Sequence, residues 1–493
     1  MKIEEMNRAE CTGCEACANV CPKNAVKMIR DAEGFAYPKI NRELCAACGS
    51  CDTVCPALNF AKTFPDALPK AFAAIHTDKK IRLHSSAGGV FSALAEIILR
   101  DGGVVFGASF DEKFHVSHTC ARTLDELANL RGKKFVQSQI GEIYRQVADA
   151  LQTGGVLFSG TPCQCAGLKN FLGEEPENLL TVDLICHGVP SPALWESYIG
   201  ELNYAHEVTH VNFASKKMSR KIPYVEVNFS DCSHYLNRLD VDVYGGAFLR
   251  GLSERPSCHA CKFKFPSMQS DLTLGGAAEI LDDSNATLVI VHSAKGKKFF
   301  EQAALKSQEV NFIDAVIKNP RFLTSTVADF RRADFFDELA ESTRKLTVLQ
   351  KYSEEDAAAR QKSVEQSQRV FLQSYRALLE RYRRHAERNI LIVTPQLDDA
   401  AQKFLADYFE RNFPNCGLYF LALERKGRLL CYEKFTSLTF ALKEDADTLN
   451  EFAAQFNVTE LFASNRIKYN SEILVEWFKS CGLPVNIFAL KEI

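Results

Sequence analysis

Two tandem cysteine runs at the start of the chain, followed by strands that alternate with helices, predict a multidomain protein of mixed α+β and α/β class. Length agrees, because 493 residues that are 46% hydrophobic and 25% charged can bury several separate cores. We expect a head at residues 1–60, a central α/β domain at 70–325, a helical connector at 326–388 and a C-terminal α/β domain of unknown role at 389–493.

The head is the most sharply marked element. Cys11, Cys14, Cys17 and Cys21 precede Pro22 in a C-x2-C-x2-C-x3-C-P run, which Cys45, Cys48, Cys51, Cys55 and Pro56 repeat. In this pattern three closely spaced thiolates hold three irons of a [4Fe–4S] cube, and the fourth reaches across to the other cube. The spacing predicts one cluster on Cys11, Cys14, Cys17 and Cys55 and another on Cys45, Cys48, Cys51 and Cys21, in a bacterial-ferredoxin-like fold. Such interleaving ties together a unit too small to build an adequate core alone. Small residues between ligands, Thr12-Gly13 and Ala46-Ala47, let backbone amides approach sulfur and tune the potential. C-x2-C pairs also serve zinc, but a third and fourth cysteine and a proline in each run argue for iron and sulfide. Gly34-Phe35-Ala36-Tyr37-Pro38 reads as a strand or turn of a small sheet, with its aromatic pair in the core.

Phe60 to Pro69 holds two prolines and little periodicity, and reads as a linker. Beyond it, Ala71 to Ile75 and Gly103 to Ala108 read as strands, Gly88 to Leu99 and Ile143 to Leu151 as helices, and Gly155 to Gly160 as a strand ending in a turn. This alternation is the basis of the central α/β expectation. From Glu338 to Arg388, Phe371, Tyr375, Leu378 and Tyr382 recur at helical spacing, which fits an ordinary surface helix pair or a partner-docking helix. Ile390 to Val393, Leu418 to Leu421 and Leu461 to Ala463 read as buried strands, and Glu472 to Ser480 as a helix stopped by Gly482.

A net charge of -3 supplies no basic field for nucleic acid or an anionic membrane, and no basic aromatic surface is visible. The acidic opening Met1-Lys2-Ile3-Glu4-Glu5 is unlike a secretory signal, and no run of about 18 apolar residues could span a bilayer. A cytoplasmic location is the expectation. Most of the eighteen cysteines stand at ligand spacings, which favours thiolate ligation over disulfides and an anaerobic or strongly reducing setting. Cys120, Cys165, Cys232, Cys416, Cys431 and Cys481 lack such spacing and read as ordinary buried thiols.

Five ordered motifs occupy the stretch from about Lys70 to Ile280. They are Ser85-Ser86-Ala87-Gly88-Gly89-Val90, Lys134 to Ser138, Gly160-Thr161-Pro162-Cys163-Gln164 through Leu168, Cys186-His187-Gly188-Val189-Pro190-Ser191, and Ser257-Cys258-His259-Ala260-Cys261 leading to Ser270-Asp271. Together they resemble the beta-subunit family of coenzyme F420-reducing hydrogenases and dehydrogenases. That resemblance implies a third [4Fe–4S] cluster on Cys163, Cys186, Cys258 and Cys261, next to a bound FAD. On spacing alone, a structural or zinc role for these four cysteines stays open. One departure exists: after Ser270-Asp271 the family commonly continues through a Gly-Asp and an aromatic pair, which Leu272 to Glu279 lacks.

A flavin also suits the chemistry, since cubane clusters pass single electrons whereas nicotinamides and deazaflavins carry hydride. Ser85, Ser86, Gly88 and Gly89 open a predicted helix whose free amides would face a phosphate, with Lys133, Lys134 and Ser138 adding charge and hydrogen bonds. Gly160 and Thr161 follow a strand at the edge where ligands usually lie. The bland alternative is that the serines cap the helix and the lysines are merely solvated. The expected activity is that of an iron–sulfur flavin-dependent oxidoreductase joining ferredoxin-type clusters to a two-electron substrate or F420-like coenzyme. An electron-relay or docking subunit without its own substrate chemistry is the alternative. The expected partner is a redox protein or a small two-electron carrier; an oligomer is compatible, and no catalytic residue is assigned.

Overall fold

The computed structural model describes residues 2–61, 65, 68–203, 206–219, 223–277, 286–353 and 357–382, and beyond them 389–395, 405, 408, 417–424, 428–433, 440–443, 446–455, 458–464 and 472–488. They form two compact units, Met1–Ser374 and Tyr375–Ile493. Part of the expected linker, residues 62–64 and 66–67, lies outside the described residues.

The head is built on one hairpin. Strands β1 (Val26–Arg30) and β2 (Ala36–Ile40) pair antiparallel, with Val26 opposite Ile40, beside two short helices at Ala16–Val20 and Ser50–Thr53. Of the two aromatics expected in the core, Phe35 is fully buried and Tyr37 half-buried. Phe35 reaches beyond the head and packs with Trp195, Phe213 and Phe335 in the principal apolar cluster of the first unit. The head therefore has little private core.

The central sheet contains β3 (Lys70–His76), β4 (Val104–Phe110), β5 (Val116–Ala121), β6 (Val156–Ser159) and β7 (Leu179–Leu184). A separate three-stranded antiparallel sheet, which periodicity did not mark, follows as β8 (Val208–Ser215), β9 (Tyr224–Phe229) and β10 (His234–Arg238). Then β11 (Leu272–Gly276), β12 (Thr287–Val291) and β13 (Leu305–Val310) complete the main sheet, in the order β13-β3-β12-β11-β7-β6-β4-β5. Strands β4, β6, β7 and β11 are parallel neighbours, and two antiparallel steps through β12 give β3 the same direction. Their carboxyl ends thus share one edge, where ligands of open α/β sheets collect. The loops carrying Ser85 to Gly89, Gly160 to Cys163 and Cys186 all leave from that edge.

Helices Arg332–Glu341 and Lys345–Ser353, inside the expected connector, bury Phe335, Leu339, Val348 and Leu349 in the same cluster as Trp195. A longer helix spans Ala357–Tyr382, with Phe371, Tyr375 and Leu378 buried at the spacing read from the sequence. The second unit has a six-stranded sheet, β17-β16-β15-β14-β18-β19, from β14 (Asn389–Pro395), β15 (Gly417–Glu424), β16 (Arg428–Glu433), β17 (Phe440–Lys443), β18 (Glu460–Ser464) and β19 (Val485–Phe488). Helix Glu472–Ser480 has the predicted bounds, and Leu474 and Trp477 pack under β14 and β18. No described helix is long and apolar enough to cross a membrane.

The tip of the head hairpin is a docking point. Ser191 Oγ donates to the Glu33 carbonyl (2.5 Å), and Arg332 grips the Glu33 carboxylate with both terminal nitrogens (3.1 and 2.5 Å). Gly34 holds φ 87°, and a Cβ there would lie 2.3 Å from Ala193 Cβ. Both the backbone angle and the close approach exclude a side chain. Gly34→Val is therefore expected to lower stability by about 1–3 kcal/mol and to expose residues 60–70 to protease, checked by thermal melts and limited digestion. Wild-type digestion kinetics in the variant would refute this docking.

Candidate metal centres and cofactor recess

The eight head cysteines divide into two sets, each around its own small cavity. One cavity is lined by Cys11, Cys14, Cys17 and Cys55 together with Ile3, Met6, Met28 and Pro38, and the other by Cys21, Cys45, Cys48 and Cys51. The last cysteine of each run crosses to the other set because the short helices Ala16–Val20 and Ser50–Thr53 pack side by side. Backbone amides point at sulfur, from Ala25 to Cys21 (3.2 Å) and from Ala47 to Cys45 (3.4 Å).

The two sets differ in exposure. Cys11, Cys14 and Cys17 are buried, and burial pushes the Cys14 thiol up to about 12. Cys48 is exposed, and its hydrogen bond with the Ser50 hydroxyl lowers its pKa. The first set faces inward because its loop is seated on the body. Glu15 accepts from the amides of Ile140 and Gly141 (3.1 and 3.0 Å), and Arg145 donates to the carbonyls of Asn19 (2.7 Å) and Cys21 (3.0 Å).

The helix Pro162–Leu172 underlies this seat. Thr161 caps it, its amide and hydroxyl both donating to Gln164 Oε1 (3.0 Å each), and Pro162 fits the first turn, where no amide partner is needed. Cys163 stands on that first turn. Gly167, one turn on and about 6 Å along the axis, lies so close to the head that a Cβ would be 3.1 Å from Cys14 Sγ.

Cys163, Cys186, Cys258 and Cys261 are brought together from three loops. Burial raises the Cys163 thiol far above its ordinary value, and the negative charge that Cys261 and Cys186 would carry adds to this; Cys186 and Cys258 are raised likewise, by burial first. The Cys186 and Cys258 loops are joined by the amide of Arg255 donating to Val189 O (3.0 Å), and Ser325 Oγ accepts from the Cys261 amide (2.9 Å). Among the described residues no three His, Cys, Asp or Glu converge on a single-ion site.

Positive charge stands beside these thiols, where Lys264 bears on Cys186. Lys133, Lys264 and Arg321 all bear on His187, whose pKa burial and these cations bring down to about 3. Lys264 Nζ is held by the carbonyls of Cys186 (2.5 Å) and Arg321 (2.7 Å). The Lys133 side chain is reached by water yet crowded by protein, which lowers its pKa, and its ammonium has no hydrogen-bond partner among the described residues. Arg131 Nε donates to Ser92 Oγ (3.0 Å), tying the Lys133 loop to the first turn of helix Val90–Arg100. No side chain caps that helix, whose N-cap is Gly89.

Other residues of the expected flavin set are already engaged. The Gly88 amide donates to Thr287 Oγ1 (2.8 Å), Ser85 Oγ donates back to Ile81 O (2.7 Å), and Lys134 Nζ holds the carbonyls of Asn129 (3.1 Å) and Arg131 (2.6 Å). Ser138 is buried in a chain linking His118 Nδ1 (2.9 Å) and Gln164 Nε2 (3.1 Å). Gly160 and Thr161 lie at the β6 carboxyl end, where the Thr161 hydroxyl meets Cys163 Sγ (3.2 Å), and Ser86 follows β3. Of the nine expected residues, Gly88, Ser85, Lys134 and Ser138 thus have partners within the protein. Asp271 is a clamp instead, accepting from the amide and hydroxyl of Thr181 and from Ser293. A cavity of about 480 Å³ between Phe72, Phe265, Met268, His292 and Lys297 contains none of the cysteines.

Cys165 is buried as expected, whereas Cys232 is exposed at the turn joining β9 to β10 and Cys120 and Cys481 are half-buried, which corrects the uniform buried assignment. The short connection of residues 230–233 has no interior in which to hide a side chain. Cys416 and the side chain of Cys431 lie outside the described residues. Arg255, Arg145, Glu15 and His118 went unnoticed in the sequence, and Gln137 stood there only as part of the Lys134 to Ser138 motif. Arg255, three residues before a cysteine ligand candidate, and Glu15, directly after one, carry a signal there.

Residues 10–59 match the model of a 4Fe-4S dicluster domain, so the head defines an iron–sulfur protein. Residues 154–315 match the model for the C-terminal part of the beta subunit of coenzyme F420 hydrogenase/dehydrogenase, and this segment belongs to that family. The match includes all four central cysteines and begins after the Ser85 and Lys134 motifs. No curated protein matches. Among solved structures, a chain of the xenon-derivatized F420-reducing [NiFe] hydrogenase complex from Methanosarcina barkeri is 17% identical with a TM-score of 0.37, covering 59% of this chain and 94% of that chain.

Gly167→Leu would force the head off its helix and is expected to lower bound iron by about one cluster's worth and stability by about 1–3 kcal/mol. Gly200→Ala, where a Cβ meets nothing within 4 Å, serves as the control. Iron analysis and calorimetry check both, and full iron in Gly167→Leu would contradict the close seat.

Proposed function

We propose that the chain is an iron–sulfur flavoprotein oxidoreductase with three [4Fe–4S] clusters in series, on Cys21/Cys45/Cys48/Cys51, on Cys11/Cys14/Cys17/Cys55 and on Cys163/Cys186/Cys258/Cys261. The observation that carries the proposal is the helix Pro162–Leu172, which bears Cys163 on its first turn and meets Cys14 one turn later at Gly167. The two inner thiol sets would then lie within tunnelling reach. The exposed Cys45 to Cys48 loop presents the outer set to a one-electron redox partner. Burial keeps metal-free thiols protonated, so ligation releases protons and couples cluster assembly to folding.

Lys133 and the first turn of helix Val90–Arg100 would hold the anionic part of a flavin, with Arg131 orienting the loop. When bound, the flavin would exchange single electrons with clusters and hydride with a carrier of the nicotinamide or deazaflavin class. Lys264, fixed by two carbonyls, keeps positive charge beside the Cys186 loop. The engagement of Gly88, Lys134 and Ser138 by the protein itself favours, as a second reading, a relay subunit that passes electrons without its own substrate.

Anaerobically purified chain is expected to contain about twelve irons, about twelve acid-labile sulfides and about one flavin. Iron without flavin selects the relay reading, and zinc in place of iron defeats both. Cys258→Ala is expected to remove about four irons and leave the head's electron paramagnetic resonance signal intact. Lys133→Ala should reduce flavin occupancy several-fold at constant iron; unchanged occupancy would remove the lysine from the flavin site.

A further inference from the structure

Arg255 is fully buried, and its contacts reach both thiol sets as well as the head hairpin at Phe35, Ala36 and Tyr37. Its carbonyl accepts from the Cys258 amide (2.8 Å), within the central set. Its guanidinium crosses into the head, where Nε donates to the Cys11 carbonyl (2.7 Å) and Nη2 to Cys11 Sγ (3.5 Å) and Ala36 O (2.9 Å). Nη1 donates to Gln137 Oε1 (3.1 Å), and Gln137 Nε2 in turn donates to Thr12 O (3.1 Å), inside the same ligand loop. The guanidinium centre lies 4.1 Å from the centre of the Tyr37 ring. Space is made by Gly13, at φ 67°, where a Cβ would come within 2.7 Å of both Arg255 Nη1 and Gln137 Nε2.

A guanidinium is a fixed positive charge on a planar fork, and burying it demands partners on every edge. Those partners here are the Cys11 and Ala36 carbonyls, the Gln137 side-chain oxygen and the Cys11 sulfur, rather than a hydrogen-bonded carboxylate. The charge also bears on the Glu15 carboxylate nearby, and its field acts on whatever Cys11 holds. Hydrogen bonds to cluster sulfur and nearby charge are the protein's means of setting cluster potential. Reduction adds one negative charge to the site, which the guanidinium stabilises in a medium that screens weakly.

We propose that Arg255 is a positioning residue that raises the reduction potential of the cluster at Cys11 and locks that cluster to the Cys258 loop. The inference rests on the three-cluster reading for its second half only; the Cys11 set belongs to the dicluster head. Its specificity lies in one side chain and its own backbone bonding both sets. No other described residue combines a donor to a head cysteine sulfur with a backbone bond to a central candidate ligand.

The test is a redox titration of anaerobic full-length protein, followed by electron paramagnetic resonance, in wild type, Arg255→Met and Arg255→Lys. In Arg255→Met the reduced form of the Cys11 cluster is expected to be disfavoured at least tenfold, about 59 mV toward the negative. The potential of the exposed Cys48 cluster should stay where it was. Arg255→Lys keeps the charge and loses the fork, and should recover part of the shift. If Arg255→Met fails to load iron, Arg255→Lys decides, since a loaded variant with a smaller negative shift supports the proposal. A loaded variant of either kind with wild-type potentials overturns it. Iron per chain in the wild type reports on the three-cluster reading separately.

Discussion

Seating a cysteine-rich head on a folded body without trapping water is the constraint from which the rest of the first unit follows. Ligand loops bend to suit a metal cube, so their carbonyls cannot all find partners within the loops. The body supplies those partners, and it does so with long cationic or amide donors. Arg145 serves Asn19 and Cys21, Arg255 serves Cys11 and Ala36, Gln137 serves Thr12, and Lys262 serves Ala57 (3.1 Å). Head carbonyls accept and body side chains donate. The same donors that satisfy the loops bring positive charge toward anionic thiolates, so a structural requirement and an electrostatic one are met by the same residues. Apolar docking would have satisfied neither, because unpaired loop carbonyls would be left in a dry interface.

This arrangement explains why one part of the protein was legible in its sequence and another was not. Metal ligands in the head stand a few residues apart, and their grouping is fixed by local spacing, so Cys11 to Cys55 sort into two sets from the sequence alone. The central cysteines are separated by up to about a hundred residues, and only the ordered motifs drew them together. Strand and helix bounds at Ile143–Leu151 and Glu472–Ser480 followed from periodicity because one face of each is buried. The sheet β8-β9-β10 escaped because its strands mix exposed and buried positions irregularly.

The cofactor loop was the least legible part, for a physical reason. Ser85 to Gly89 and Lys133 to Ser138 have the composition of an anion cradle, but composition does not reveal which donors the fold consumes. Thr287 takes the Gly88 amide from two hundred residues away, and His118 with Gln164 takes Ser138. Lys133 lies over the Phe135 ring, whereas the neighbouring Lys134 is the one that reaches the carbonyls ending helix Leu127–Leu130. Two adjacent lysines thus divide into a strut and a charge over a ring, a division that composition does not reveal.

The unequal exposure of the two head sets gives the molecule a direction. A cluster near water is stabilised in its more charged state by solvent, whereas a buried one depends on what fixed charge the protein places beside it. Cys48 needs little help of that kind, and apart from the Ser50 hydroxyl its surroundings are open. The inner set lies under Arg255 and beside Gly167, where solvent cannot reorganise when an electron arrives. Small reorganisation favours rapid transfer between buried sites, and a fixed guanidinium does not move with the charge. Cys48 is exposed on the outer loop, while Cys11, Cys14 and Cys17 are buried where the head is seated on the body.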